Sequence, residues 1–600
     1  MLPLPGLAQQ TPPETLAPYV VTATRTPEPI ATIGSAVDVI TAADLARMQL
    51  PLLQDALAFA PGAPALASGA PGSVTSLFLR GANSNQTLFL VDGIRSNDSN
   101  TDYAVTLGGA ALGAGDRIEV ARGPQSTLYG ADAIGGVVAL QGATGRGPAS
   151  GAVSVEAGSF GTVQGSLSGQ AGDAGGGWSF SATGGHTDND RPNNALDELS
   201  TALRLDRVFN PAVAVGATWR GFVERFGDPG DEYTNDPNDV DAESNQLATI
   251  FADLGRGSET VSHVVVGAQD RRFVADDPGP FGDDRTVVKN RRLVADWQTT
   301  FSGWTGHRLT AGLDGELEHT VNTGFGNIDH HQSSWAVFAE DQWNPIRGLH
   351  LTGGLRRDQF DTFGGATTGR VTVAWLTRDN HWKFRSSYGT GFRAPGFLDL
   401  YGLSAFYVGN PNLRPETARG SDAGIDYFLV RNRGVLSVSV FRTDLSDLIT
   451  YDFSSFPGTE INVERARTRG AEFSAQIDLA GFKLRASYAY LDARNLSEEI
   501  RLLRRPRHSG TIDVWRNFGG GFSAGFGAAF AAEREDVDAL TFATVEQSGY
   551  TVARVYARWQ ATPRLALKAR IENLLDRKYE VVNGYPALGL GTYGGVEWTF

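Results

Sequence analysis

The chain has no cysteine among its 600 residues. That excludes disulfide staples, thiol nucleophiles and cysteine-ligated zinc together, while leaving the redox compartment open. Methionine is scarce, at two residues. No apolar run reaches the roughly 18 residues a membrane-spanning helix needs. Basic charge is in deficit: 52 Lys and Arg against 67 Asp and Glu leave a net charge of −15, which argues against a general nucleic-acid binder, although a local basic patch remains possible. Neither a Walker A nor an HExxH pattern occurs, so an intrinsic ATPase or zinc protease is unsupported. What abounds is glycine, at 73 residues, beside 10% aromatics and only 20% charge. That is the make-up of strands and turns rather than helices. A mean hydropathy of −0.21 reads as soluble, but the inference fails for barrels, whose strands alternate lipid-facing and lumen-facing residues and average to a polar value.

Two textures meet near Gly145 to Ser150. Before that boundary lies a compact mixed segment. Thr41-Ala-Ala-Asp44 makes a capping-box-like start, followed by Leu45, Met48, Leu52 and Leu53 at helical spacing. Short strands are predicted at Val37–Ile40, Leu77–Leu79, Thr87–Val91 and Ile118–Val120. After the boundary, period-two alternation dominates. From Ala471 to Leu479 and again from Phe482 to Tyr490, apolar and polar residues alternate around Ala480-Gly481, which predicts a hairpin with one dry and one wet face. In Thr551 to Trp559, Ala553, Val555, Ala557 and Trp559 oppose Arg554, Tyr556 and Arg558. A soluble β-sandwich also alternates. Against it stand the length of the alternating region, the final alternating stretch Val596-Glu-Trp598-Thr-Phe600, and the contrast between brief connections and long polar ones such as Gly227 to Asn245. The expected fold is an all-β transmembrane barrel, whose length allows about 22 antiparallel strands, preceded by a compact α+β segment.

Leu79-Arg-Gly-Ala-Asn83, Leu90-Val-Asp-Gly-Ile-Arg95 and the run from Ile118 through Gly123-Pro124 and Gly135-Gly136 to Val138 resemble the plug of the TonB-dependent outer-membrane receptors. Tyr388 to Pro395, Gly409 to Glu416 and Glu572 to Tyr579 resemble that family's barrel. Within the family the chain is most similar to the receptors for cobalamin. The resemblance spans Tyr19 to Phe600. Residues 1–16, with Met1 to Ala8 like the tail of a secretory signal, read as a signal remnant or disordered terminus; the resemblance implies a TonB box over 17–23, an N-terminal α+β plug domain inside the lumen over 24–148 and a barrel over 149–600. It further implies residence in the bacterial outer membrane as a monomer among lipid and lipopolysaccharide, partnership with the TonB energy transducer and its inner-membrane motor, a small-molecule nutrient as cargo, and no enzymatic activity. The box comprises Ala17, Pro18, Tyr19, Val20, Val21, Thr22 and Ala23, where an extended, accessible, β-prone strand suits main-chain pairing under load; Pro18 departs from the usual box and removes one amide donor.

The same resemblance places Val74, Ser76, Asn83, Thr101, Asp102 and, within Leu502-Leu-Arg-Arg505, Arg504 at substrate-contacting positions. The late loop around Glu535 to Gln547 does not match. His186-Thr-Asp-Asn-Asp190 resembles a calcium loop, carrying over Asp188 and Asp190, with Asp228 and Asp241 as further partners; hard Ca²⁺ requires such converging oxygens. Three motifs are set aside. Gly521-Phe-Ser523-Ala-Gly525 imitates a hydrolase nucleophile elbow but alternates as a strand. Gly589 to Gly594 imitates a dinucleotide fingerprint with no helix after it. In Asp329-His330-His331 the adjacent histidines point to opposite sides of an extended backbone, which speaks against a metal site. The competing functional readings are a ferric siderophore or haem receptor of the same architecture, a passive porin, and a surface enzyme.

Overall fold

The computed structural model describes residues 19–100, 110–279, 282–430, 433–452, 454 and 456–600. Residues 1–16, Ala17, Pro18, Thr101 and Asp102 lie outside them.

From Gly147–Gly158 onward, 22 antiparallel strands close into a barrel. The seam joins Gly147–Gly158 to Gly591–Thr599, with Ala152 opposite Thr599 and Gly158 opposite Tyr593, and Phe600 and Gly151 exchange two backbone hydrogen bonds of 3.0 Å. Among the described residues no helix is long and apolar enough to cross a membrane. Closed strands cross instead, because each satisfies its backbone groups on its neighbours. The face pattern shows which solvent lies outside. In Gly364–Leu376, Val371 is 55% and Trp375 51% exposed, whereas Arg370 and Thr372 are each 5% exposed. Apolar side chains turn outward and charged ones inward, the reverse of a water-soluble sandwich and the arrangement lipid requires.

The predicted hairpin forms within Gly458–Leu479 and Phe482–Asn495, with Leu479 opposite Phe482. Ala480 and Gly481 both take positive φ, 55° and 80°, the conformation that matches strand twist across a two-residue turn. Connections such as 174–175, 211–212, 347–348 and 520–521 stay short at this rim; at the opposite rim 228–239, 394–415, 496–507, 532–549 and 573–590 are long. The long polar connection expected from Gly227 to Asn245 ends earlier, because Val240–Leu254 is already strand. Its Glu243 and Asn245 are buried on the lumen side, and a polar lumen lets acidic residues stay in a strand. The segment expected as a loop around Glu535 to Gln547 folds back as a small hairpin of Arg534–Val537 and Thr544–Gln547.

The plug is a five-stranded mixed sheet in the order Val37–Ile40, Arg117–Arg122, Gly136–Gln141, Thr87–Val91, Ile94–Arg95. Only Thr87–Val91 and Gly136–Gln141 run parallel. Thr41 and Asp44 form the expected capping box at the head of Ala42–Met48. The apolar spacing continues through Leu52 and Leu53, but the helix does not. Gln49 is left-handed and Pro51 follows, so a second helix restarts at Leu53–Leu57. The strand expected at Leu77–Leu79 is Thr75–Leu77; Leu79 begins a tight turn with Arg80 at φ 53°. Ile40, Met48, Leu57, Leu77, Ile118 and Val138 close the apolar core between sheet and helices. Gly136, at φ +152°, starts the strand missing from the sequence-based assignment; a Cβ there would stand 2.2 Å from the Ala121 carbonyl oxygen.

Candidate functional site

The plug meets the barrel wall through charges. Arg80 donates to both carboxylate oxygens of Glu472, at 3.0 and 2.8 Å, and Arg122 donates to the same carboxylate at 2.9 Å. Arg485 of the wall reaches Asp38 at 2.9 Å, Arg220 bridges Asp92 and Asp116, and Arg271 joins Asp98 to Glu243. These side chains are buried, so each ion pair works where removing one partner strands the other. None of these partnerships is legible in either segment alone, because each couples plug residues to strands 104 to 447 positions later.

The segment starting at Tyr19 lies along the underside of the plug sheet. Tyr19–Val20 pairs antiparallel with Glu28–Pro29. The Val21 and Thr22 amides and the Thr22 hydroxyl all donate to Glu119 Oε2, at 2.9, 3.0 and 2.6 Å, and Arg117 donates to the Tyr19 carbonyl. Val20, Thr22 and Ala23 are buried. The segment is thus extended, as expected of a pairing strand, but in this state most of it is docked rather than accessible. Arg25 continues onto the wall at Asp296, 2.6 Å away, and Gln298 donates to the Arg25 carbonyl. These wall residues stand next to the short connection 302–306, which puts the segment at the short-turn end of the lumen.

At the opposite end, Val74 and Ser76, just before and within the strand Thr75–Leu77, are half-buried, and Asn83 is exposed and meets the long 496–507 connection. Arg504 turns away from them: its Nε donates to Asp536 at 2.7 Å and its backbone amide to the Glu535 carbonyl at 2.6 Å. Arg505 takes the inward place, donating to the Asn83 side chain and lying 3.7 Å over the Phe78 ring. Arg504 sits at φ 60°, a kink that exchanges the directions of the two side chains and that strand alternation does not forecast. A cavity of about 250 Å³ separates plug from wall. Its upper lining includes Gly396 and Phe397 of the 394–415 loop; its lower lining includes Val21, Thr22 and Arg25. It therefore connects the roofing loop with the docked segment, between walls carrying Arg292, Arg356, Glu316 and Asp358.

Of the four carboxylates expected to share calcium, Asp188 and Asp190 lie on the connection 188–195, Asp228 on the connection 228–239 and Asp241 just inside the following strand, and Arg191 and Asn193 join the two connections. Asp188 accepts from His186, whose other ring nitrogen meets Asp197. Asp228 lies in the next long loop, where its amide donates to the Asp239 carbonyl and its own carboxylate accepts from Gly230. Burial, then the neighbouring Asp228, pushes the Asp239 carboxyl up to about 7, and its Oδ1 is buried without a hydrogen-bond partner. Asp228 is itself raised by burial. Among the described residues, no three of Asp188, Asp190, Asp228 and Asp241 bring an oxygen each within 4.8 Å of one another. Asp228, Asp239 and Asp241 do not bring an oxygen each within 4.8 Å of one another either.

Comparison with known proteins adds to this geometry. Residues 141–574 match the family model described as the TonB-dependent receptor-like β-barrel, and residues 29–137 match the TonB-dependent receptor plug domain. The structure superimposes on FpvA of Pseudomonas aeruginosa, solved bound to heterologous pyoverdines, with a TM-score of 0.83 at 16% identity, covering 97% of this chain and 88% of that one. A mutant ferric enterobactin receptor from P. aeruginosa in complex with enterobactin gives 0.81 at 17% identity, covering 95% and 100%. The siderophore receptor PirA from Acinetobacter baumannii gives 0.78 at 14%, covering 94% and 98%.

Proposed function

The chain belongs to the TonB-dependent receptor family of outer-membrane transport proteins, and on that premise we propose that it imports a corrinoid, cobalamin or a close relative. The family is one of transport receptors, not an enzyme family, which supports uptake over the surface-enzyme and porin readings. In the proposed cycle, substrate settles on the plug apex around Asn83 and Arg505. That contact loosens the hold of Glu119 on Val21 and Thr22. The segment 17–23 then pairs with TonB, and pulling opens the cavity between plug and wall. Calcium, in this reading, draws Asp188, Asp190, Asp228 and Asp241 together and orders their loops. The apolar wall is proposed to stand in lipid and lipopolysaccharide as a monomer, with outward Arg442, Arg467 and Arg469 at headgroup level.

The observation carrying the choice of substrate is the charge of the mouth. Loop 228–239 holds Asp228, Asp231, Glu232, Asp236 and Asp239 with no Lys or Arg. Arg504 and Arg414 are already paired with Asp536 and Asp447; Arg501, Arg505 and Arg507 share the 496–507 loop with Glu498 and Glu499, and the 532–549 loop adds Glu533, Glu535, Asp536, Asp538 and Glu546 against Arg534 alone. Such a mouth repels a polyanionic ferric chelate and tolerates a large ligand of no net charge, as cyanocobalamin is. The second reading is a ferric siderophore, suggested by the pyoverdine and enterobactin named for the structurally similar receptors; haem follows as a lesser variant. Titrating the detergent-solubilised protein with cyanocobalamin and with a ferric catecholate, each with and without calcium, separates them. Saturable cyanocobalamin binding is expected, and tight chelate binding with none to the corrinoid would reverse the choice. Deleting residues 17–23 should abolish uptake and preserve ligand binding, and undiminished uptake would sink the coupling step.

A further inference from the structure

Asp329-His330-His331 lies near the start of Ile328–Ile346, and the structure resolves what alternation left open. The two histidines do point apart. His330 turns to the lumen side and stacks on Tyr401, ring centroids 3.8 Å apart. His331 turns outward, and its partner comes from the neighbouring strand: His319 of His307–Asn322 stands directly opposite, with ring planes 11° apart and centroids 4.1 Å apart. Asp329, two residues away on the same face, accepts from His319 Nε2 at 2.8 Å. One ligand atom from each of the three residues lies within 4.8 Å of the others. The nearest cation across the next strand is Arg291, opposite His319, and it already leans on Asp270 at 3.5 Å.

We propose that His319, Asp329 and His331 form a binding site for a borderline divalent transition ion on the outer wall of the barrel, near the long-loop rim. Two neutral imidazole nitrogens and one carboxylate oxygen suit zinc or copper far better than calcium or magnesium, which demand oxygen-only shells. Bonds of about 2.0–2.1 Å to zinc require the ligand atoms to draw together by small side-chain rotations. Three protein ligands leave a fourth position for water or an outside donor. The ion replaces the His319–Asp329 hydrogen bond and fastens one strand to the next. Its position gives that fastening a consequence. The hairpin tip, 323–327, accepts a hydrogen bond at the Phe325 carbonyl from the Leu403 amide, 3.1 Å, and His330 stacks on Tyr401. Leu403 and Tyr401 belong to the 394–415 loop that roofs the cavity, so a bound ion stiffens the support of that roof.

The test uses the full chain, purified in detergent and treated with chelator, and titrates zinc by calorimetry against His319→Ala, His331→Ala and Asp329→Asn, with His508→Ala as control. One zinc per chain is expected, with affinity falling at least tenfold in each histidine variant and unchanged in the control. Cobalt is expected to give a visible absorption band that His331→Ala abolishes. Heat-modifiable migration on gels confirms a folded barrel, and Asp329→Asn, equal in size to the native residue, keeps the result readable if an alanine variant fails to fold. Equal zinc affinity in native protein and His331→Ala, or no saturable zinc binding by the native protein, overturns the site.

Discussion

The plug has two interiors of opposite chemistry. Against its own helices it buries Ile40, Met48, Leu57, Leu77 and Ile118; against the wall it buries Arg80, Arg122, Glu472, Arg485 and Asp38. Apolar burial favours one fold strongly and is lost only by unfolding. Ionic contacts can be exchanged for water, so a domain seated by them can leave its seat while staying folded. The contrast suits a part that must hold its shape yet shift within the lumen.

The largest effect expected along this divide is at Glu472. Glu472→Ala takes the shared carboxylate from two buried guanidiniums and should loosen the seat by about 3–5 kcal/mol, read as faster exchange of the Arg80 and Arg122 guanidinium protons with the plug-sheet amides still protected. Loss of protection throughout the sheet would erase the distinction between seat and core. Leu77→Ala, within the core, should cost about 2–5 kcal/mol and lower protection across Thr87–Val91 while the barrel melts unchanged. On the outer face, Val371→Arg should cost about 2–4 kcal/mol in lipid refolding equilibria; a neutral outcome would mean that this face does not meet hydrocarbon. The smallest effect concerns Asp55, in the second plug helix, whose carboxyl is pushed up to about 6 by burial and then by Glu572. A folded-state value above the ordinary carboxylate range stabilises the plug while the group is protonated, fully below pH about 4, and is lost as pH rises through 6. Asp55→Asn should therefore flatten that fall and gain about 1–2 kcal/mol at pH 8, measured by exchange of the Leu53–Leu57 amides. A native protein equally protected at pH 5 and 8 would contradict it.

The barrel was legible in the sequence because alternation is a local signal, and Leu479 and Phe482 meet where the pattern put them. Polarity overstated the 228–239 loop, since a wet lumen accepts Glu243 in mid-strand. The site was legible only in part. Asn83 faces the long-loop end, yet the inward cation is Arg505 rather than Arg504, owing to one positive φ. Glu119 went unnoticed because its partners lie about a hundred positions away, in Val21 and Thr22. His319 was missed for a related reason: an antiparallel register, not sequence adjacency, delivers it to His331.

The seam between Gly147–Gly158 and Gly591–Thr599 has a bearing on biogenesis. Every other junction in the ring links segments close along the chain, but this one has the largest loop-closure entropy to overcome and the highest contact order, so it should set the slow step of assembly. Until residues 591–599 arrive, two raw sheet margins stand open, each able to recruit a stray strand; a chaperone that shields them would be protecting the last stitch rather than the first.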